Sequence, residues 1–414
     1  MSILDRITDP LLWEDFFEYK QSSGHLPVVE AAELRAFIDG RGYLPVAERI
    51  LAGESMPLPR LVEINKKSSS KKRTVFVFPY AENCVLKLIA YLVSRERDGL
   101  FSGNLYSFRH KVSVKNAIRD IISNKRIAAY YSYKVDIHDY FNSADTDLAV
   151  KKLRSAIPDD PALCDFIEGL LREPRAVFLG RTVECRKGIM AGVPISGFLA
   201  NLYLSELDRE FAEEGTVYAR YSDDIIVFSD TAEGIALQER KIKEHLAAMR
   251  LEINEKKEFR TRPGEPWEFL GFRVEGRTVD VSRVSLEKIK AKMRRKAKAL
   301  LRWKARKGAS DEGAVTAFIR IFNQKLFENP RHNDITWSLW YFPTVTTDES
   351  LRAIDEYALS CVRFIYSGRH SKAGYRLRYG RIKELGFRSL VNAYYKFREG
   401  EKTGTGAHAP NVSE

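Results

Sequence analysis

Three observations predict an α+β protein. The chain has 414 residues, enough for two or three domains of roughly 100–200 residues each. Across residues 58–281, short runs rich in β-branched and aromatic residues alternate with helical periodicity. Helical sequence flanks that stretch on both sides. Taken in order, residues 1–57 read as a helical N-terminal extension whose short helices are joined by SSGH and DGRGY turns. Residues 58–281 form the strand-bearing core, and 282–400 a basic helical domain broken near NPRHND and YFPTVTTD. The tail 401–414, EKTGTGAHAPNVSE, is polar and turn-rich and is expected to be disordered.

Composition excludes several classes. Four cysteines lie far apart with no CxxC pair, and the seven histidines show no ligand spacing, so neither a disulfide framework nor a structural zinc site is indicated. No apolar run approaches the length of a membrane span, and the N-terminus is acidic and aromatic. A cytoplasmic protein with no membrane partner is expected. The net charge of +12 is concentrated: residues 283–307 hold twelve Lys or Arg against Glu287 alone, and the remainder nearly balances. This single patch predicts a helix with an apolar stripe of Val284, Ile289, Met293, Leu300 and Trp303. Its charged face is either solvated or tracks phosphates, with Arg294, Arg295, Lys296 and Lys298 at its centre.

The stretch YARYSDDIIVFSD reads as a tight hairpin with Asp223 and Asp224 at its tip. Adjacent carboxylates repel, and stay ionised cheaply only beside a cation; hard oxygen ligands suit Mg²⁺. An acidic surface turn is the alternative. A further carboxylate, Asp136, ends the strand-like run YYSYKV. Asp136 and Asp223 could share two metal ions, the pattern of nucleotidyl transfer. Asp139 and Asp145, further along, are caps or exposed groups.

At this point the chain resembles a reverse transcriptase, because motifs recur in the family's order over 58–275. KKSSSKKRTVFVFP looks like the fingers hairpin, and LFSGNLYSFRHKVS like the next motif, with Asn104, Phe108 and Arg109 at its marked positions. VDIHDYF and YSDD resemble the two catalytic motifs. Between them, GIMAGVPISGFLANLYLSELD resembles the template-and-nucleotide motif, with Gly192, Pro194, Ser196, Leu199 and Asn201. LEINEKKEF carries Asn254 and Lys257, and WEFLGFRV, with Leu270 and Gly271, looks like the primer grip.

The resemblance implies a right-hand polymerase with fingers, a ferredoxin-like palm and an α-helical thumb. It implies RNA-directed DNA synthesis with two Mg²⁺ ions, Mn²⁺ being the substitute. Asp136, Asp223, Asp224 and the Ile137 carbonyl would be ligands. Lys67, Lys72, Arg73 and Arg109 would contact the deoxynucleotide triphosphate. Phe141 would be the steric gate against a 2′-hydroxyl, or simply core. Gly192 would let backbone approach the nascent base pair, and Ser196 and Asn201 would bond the template; otherwise Gly192 is in a loop leading to a helix capped by Ser196. Lys257 would protonate or screen pyrophosphate, unless it is solvated. Trp337, Trp340, Tyr341 and Phe342 are core or stack on unpaired bases.

Ala191 stands where many reverse transcriptases have Gln. That spelling, with SGRHSKAGYRLRYGRIKELGFRSLVNAYYKF near the C-terminus, is similar to the bacterial defence-associated or "unknown group" enzymes, including the type 2 defence class, related to retron and abortive-infection proteins. Their implied partners are a structured non-coding RNA template and its DNA product. A template-independent or protein-primed DNA polymerase, an RNA-dependent RNA polymerase and a catalytically silent RNA-binding scaffold are the alternatives.

Overall fold

The computed structural model describes all residues except 23–25, 66–71, 111, 187, 328–335 and 404–414. The SSGH and NPRHND breaks and most of the C-terminal tail therefore lie largely outside the described residues. The chain divides into two compact units, residues 1–265 and 266–410.

The first unit begins with α1 (Pro10–Ser22), α2 (Val28–Asp39) and α3 (Leu44–Leu51). Trp13 stacks on Tyr43 with ring centroids 4.7 Å apart, and its indole N–H donates to the Ile7 carbonyl at 2.8 Å. Trp13, Phe16, Tyr43 and Ile50 join the same core as Phe76, Leu86, Val135 and Phe198. The N-terminal helices are thus built into the first unit.

Next come β1 (Arg60–Asn65) and β2 (Lys72–Val77), an antiparallel pair, then α4 (Tyr80–Glu96) and α5 (Val114–Ser123). The strand β3 (Tyr131–Asp136) buries Tyr133 and Val135 in the core, which by strand alternation puts Lys134 and Asp136 on the other face. After it lie α6 (Tyr140–Ser143), α7 (Thr146–Ala156), α8 (Pro161–Arg172), β4 (Arg175–Phe178) and β5 (Arg181–Glu184). The helices α9 (Ser196–Tyr203) and α10 (Ser205–Glu213) lead to β6 (Tyr218–Tyr221) and β7 (Asp224–Ser229). Finally α11 (Ala232–Ala248) and β8 (Phe259–Thr261) close the unit. One sheet has the order β2-β1-β4-β5 and the other β6-β7-β3-β8.

The second unit opens with β9 (Trp267–Phe269), β10 (Phe272–Glu275) and β11 (Thr278–Val281), an antiparallel sheet in the order β11-β10-β9. The hairpin of Leu270 and Gly271, expected with the palm, thus groups with the helices that follow. These are α12 (Arg283–Lys307), α13 (Asp311–Leu326), α14 (Trp337–Tyr341), α15 (Glu349–Ser367), α16 (Tyr379–Glu384) and α17 (Leu390–Thr403). The basic helix α12 starts at a Ser282 cap and packs on α13 and α15 through Ile289, Met293, Ala297 and Leu300. Val284 and Trp303, expected in that stripe, are 55% and 36% exposed, because the buried face is narrower than the pattern suggested. Tyr341 and Phe342 are buried, while Trp337 and Trp340 are half-buried. Burial raises the thiols of Cys84 and Cys164 and pushes Cys361 up to about 12; Cys185 is half-exposed.

The loop before α9 locks onto β2: the Phe76 N–H donates to the Ala191 carbonyl at 2.7 Å. Gly192 there has φ +94°, and a Cβ would lie 3.0 Å from Val75 Cβ and 3.1 Å from the Phe76 carbonyl oxygen. Gly192→Ala is therefore expected to lower stability by about 1–3 kcal/mol through backbone strain and crowding. A urea titration of the purified variant checks this, an unchanged midpoint being the contrary result.

Candidate active site

Local structure brings three carboxylates to neighbouring strand ends. Asp136 closes β3 and pairs directly with Asp224, the first residue of β7. Tyr221 pairs with Asp224, so Ser222 and Asp223 form a two-residue loop, as the hairpin reading requires. The Asp223 carbonyl accepts the Ile137 N–H at 2.9 Å, which ties the tip to the chain just beyond Asp136.

Ser222 has φ +59°, a left-handed conformation costly for a side chain other than glycine. Its neighbours hold it there. The Ser222 N–H donates to Ser107 Oγ at 2.8 Å, Ser107 Oγ donates to Asn201 Oδ1 at 2.9 Å, and the Asn201 amide donates to the Ser107 carbonyl at 2.6 Å. Beneath them Arg220, fully buried, donates from Nε to Asp208 at 2.8 Å and from its terminal nitrogens to Asp208 and to the Asn201 and Ser222 carbonyls. Tyr218 donates to the same Asp208 at 2.9 Å. The Asn104 amide reaches the Asp208 carbonyl at 2.8 Å.

This network revises several expectations. Asn201 is fully buried and spent on Ser107, so it offers nothing to a template. Ser196, 2% exposed, donates to the Met190 carbonyl at 2.5 Å, and so neither faces solvent nor caps its helix. Arg109 forks onto Asp98 at 2.8 and 2.9 Å and donates to the Ser102 and Leu105 carbonyls, which uses its guanidinium internally. Gly192 approaches β2, a protein strand, for want of a side chain. Gly271 in the second unit lies where a Cβ would be 2.9 Å from the Tyr341 hydroxyl.

Other residues assemble around the carboxylates. Lys257 Nζ lies 2.5 Å from Asp136 Oδ2, and the Asn254 amide 3.3 Å from Oδ1. The Arg73 guanidinium sits 5.6 Å over the half-buried Phe141 ring, which meets Phe108 edge-on. Lys72 pairs with Glu63 at 2.5 Å, and Lys67 is outside the described residues. Asp145 caps α7 by accepting the Leu148 N–H at 3.0 Å, and Asp139 precedes α6 and accepts from the Asn142 amide.

Burial and mutual repulsion set the electrostatics of this cluster. Burial, then the charge of Asp136, raises Asp223 above the usual carboxylate range. Burial likewise pushes Asp224 up to about 6, opposed by Lys134, whose ammonium lies 3.9 Å away. Burial works against the Lys257 ammonium, yet its hydrogen bond to Asp136 holds it above its ordinary value. Among the described residues no three Asp, Glu, His or Cys side chains already form a metal cage. Hard oxygens from few carboxylates suit Mg²⁺, which is usually completed by water and substrate phosphates. The donor set therefore fits such an ion.

Sequence reasoning missed Lys134, Ser107 and the Arg220–Asp208 pair. A cation two residues from Tyr218, on the inward phase of a strand, was the available signal for Arg220.

The carboxylates thus stand at adjacent antiparallel strand ends, in the unit that also carries the β1–β2 hairpin. Residues 64–274, about half the chain, match the model of the reverse transcriptase (RNA-dependent DNA polymerase) family, and the chain belongs to that family. Solved structures similar to it include telomerases from two Candida species. Apo telomerase from Candida tropicalis truncated from its C-terminal domain is 11% identical, with a TM-score of 0.42 over 54% of this chain and 55% of that one. Telomerase from Candida albicans in complex with a TWJ fragment of telomeric RNA is 13% identical, at 0.43 over 85% and 67%. Apo telomerase from Candida tropicalis is 11% identical, at 0.47 over 86% and 63%. The chain thus spans 55–67% of the length of these proteins. No curated protein matches it. Among the described residues no helix is long and apolar enough to cross a membrane.

Asp208→Asn should cost about 3–5 kcal/mol, the usual penalty for stranding a buried partner charge, here Arg220. Chemical denaturation measures it; a loss under about 1 kcal/mol would mean that the pair does not hold the hairpin.

Proposed function

We propose that the chain is an RNA-directed DNA polymerase that copies a dedicated structured non-coding RNA into DNA in antiphage defence. The observation that carries the reaction is the pairing of Asp136 with Asp224 beside the Asp223 tip, with Lys257 on Asp136. The finer reading, a defence enzyme with its own RNA, rests on the motif spelling around Ala191 and on the C-terminal sequence.

In this reading Asp136 and Asp223 hold two divalent cations, Mg²⁺ or Mn²⁺, with Asp224 and the Ile137 carbonyl as further ligands. Such ions, when bound, lower the pKa of a primer 3′-hydroxyl and stabilise a departing pyrophosphate. Arg73, with Lys72 and Lys67, grips the deoxynucleotide triphosphate. Lys257, hydrogen-bonded to Asp136, screens or protonates the departing pyrophosphate. Phe141 presents its ring beside Arg73 and excludes a 2′-hydroxyl. The exposed Arg294, Arg295 and Lys298, with half-buried Lys296, track nucleic-acid phosphates, and Leu270 and Gly271 form the turn of a primer-gripping hairpin.

Sequencing the nucleic acid that co-purifies with the protein, and the product made from added deoxynucleotides, tests the templated reading: product complementary to that RNA is expected. Asp136→Asn and Asp223→Asn should each lower incorporation by about a thousandfold or more, the several kcal/mol of lost charge stabilisation, while leaving the melting temperature nearly unchanged. Full incorporation by either variant overturns the assignment. Phe141→Ala should reduce discrimination against ribonucleotides by about tenfold to a hundredfold. Competition between labelled dNTP and rNTP measures it, and unchanged discrimination would make the ring core only.

A further inference from the structure

Charge in the second unit is not confined to α12. Residues 363–388 hold eight Lys or Arg against Glu384 alone, a second basic stretch masked in the total by acids elsewhere. Aromatic residues interleave with it, and Tyr375 and Tyr379 are 61% and 41% exposed. Within it, α15 and the short turn Lys372–Arg376 border a cleft of about 420 Å³, inside the range of small-ligand sites.

The cleft is built for a partner with acceptor atoms. Arg363 Nε and Ser371 Oγ line it, are shielded from solvent and have no hydrogen-bond partner among the described residues. Such orphaned polar groups are costly, and acceptor oxygens arriving with a ligand would satisfy both. The Arg363 guanidinium is pre-oriented 4.3 Å over the Tyr375 ring. His370 stacks on Phe364 at 4.5 Å and 23°. Gly374 makes this possible: a Cβ there would lie 3.0 Å from both Arg363 Cβ and its carbonyl oxygen, so only glycine lets the turn press against α15. Arg369 adds a cation to the rim, and Glu356 an acceptor. Glu356 would repel a bare anion but accept from the N–H groups of a base, which favours a nucleotide over free phosphate.

We propose that this cleft holds one unpaired nucleotide of the bound RNA, its phosphate on Arg363 and Ser371 and its base stacked among Tyr375, His370 and Phe364. It is a site separate from the carboxylates and gives the protein a means of preferring RNA with splayed-out bases, which charge alone cannot supply. The proposal rests on the reading that the chain binds RNA, but not on catalysis.

The test is fluorescence anisotropy on the full chain, with a labelled single-stranded oligoribonucleotide and a blunt RNA duplex of equal length at one salt concentration. Arg363→Met and Tyr375→Ala should each weaken the single strand about tenfold and the duplex less than about twofold. Arg376→Gln, which removes an exposed charge outside the lining, should weaken both alike. If Arg363→Met does not fold, Arg363→Lys serves, since it keeps the charge but loses the stacked fork and should show the same selectivity loss. Equal weakening of both RNAs by the cleft variants, or no weakening, overturns the cleft alone. A parent protein that binds neither RNA overturns the functional reading with it.

Discussion

Arg220 and Asp208 form an ion pair with no solvent access, and the geometry of the carboxylate cluster depends on it. Removing two charges from water costs several kcal/mol per ion, a cost offset only when every remaining donor and acceptor finds a partner. Here Arg220 also reaches the Asn201 and Ser222 carbonyls, and Asp208 also takes the Tyr218 hydroxyl. Burial works against the charged guanidinium, yet Asp208 holds its pKa above the ordinary value. The gain is specificity of register. A one-residue slip of β6 would carry Arg220 to the other face, leave Asp208 buried and unpaired, and move the tip off the end of β3.

With register fixed, the tip can carry strain. Ser222 occupies a left-handed conformation because Ser107 and Asn201, from separate segments, hold its N–H in place. That turn seats Asp223 beside the end of β3, where its charge and that of Asp136 oppose each other. Lys257 offsets part of that repulsion through its ion pair with Asp136.

The acidic tip, Asp136 at a strand end and the basic helix were legible because each is a local pattern: a turn between apolar runs, a strand boundary, a run of one sign. The polar motif positions were not. Ser196, Asn201 and Arg109 look in the sequence like groups awaiting a ligand, and only three-dimensional burial reveals that their partners are internal. The basic stretch 363–388 escaped for a different reason, since net charge sums over acids that lie elsewhere in space. Residues 1–57 read as an appendage because no local signal tells a helix that Trp13 and Tyr43 will share a core with Phe76 and Leu86. Long-range packing is invisible to periodicity.

The cysteines carry a practical corollary. Three thiols are buried, and burial raises the pKa of each, so little thiolate exists near neutrality to react. Cys185, just after β5, is the half-exposed exception. Alkylating reagents should therefore discriminate among the four without mutagenesis, which makes the native chain suited to attachment of a single spectroscopic reporter on the sheet that carries Arg73.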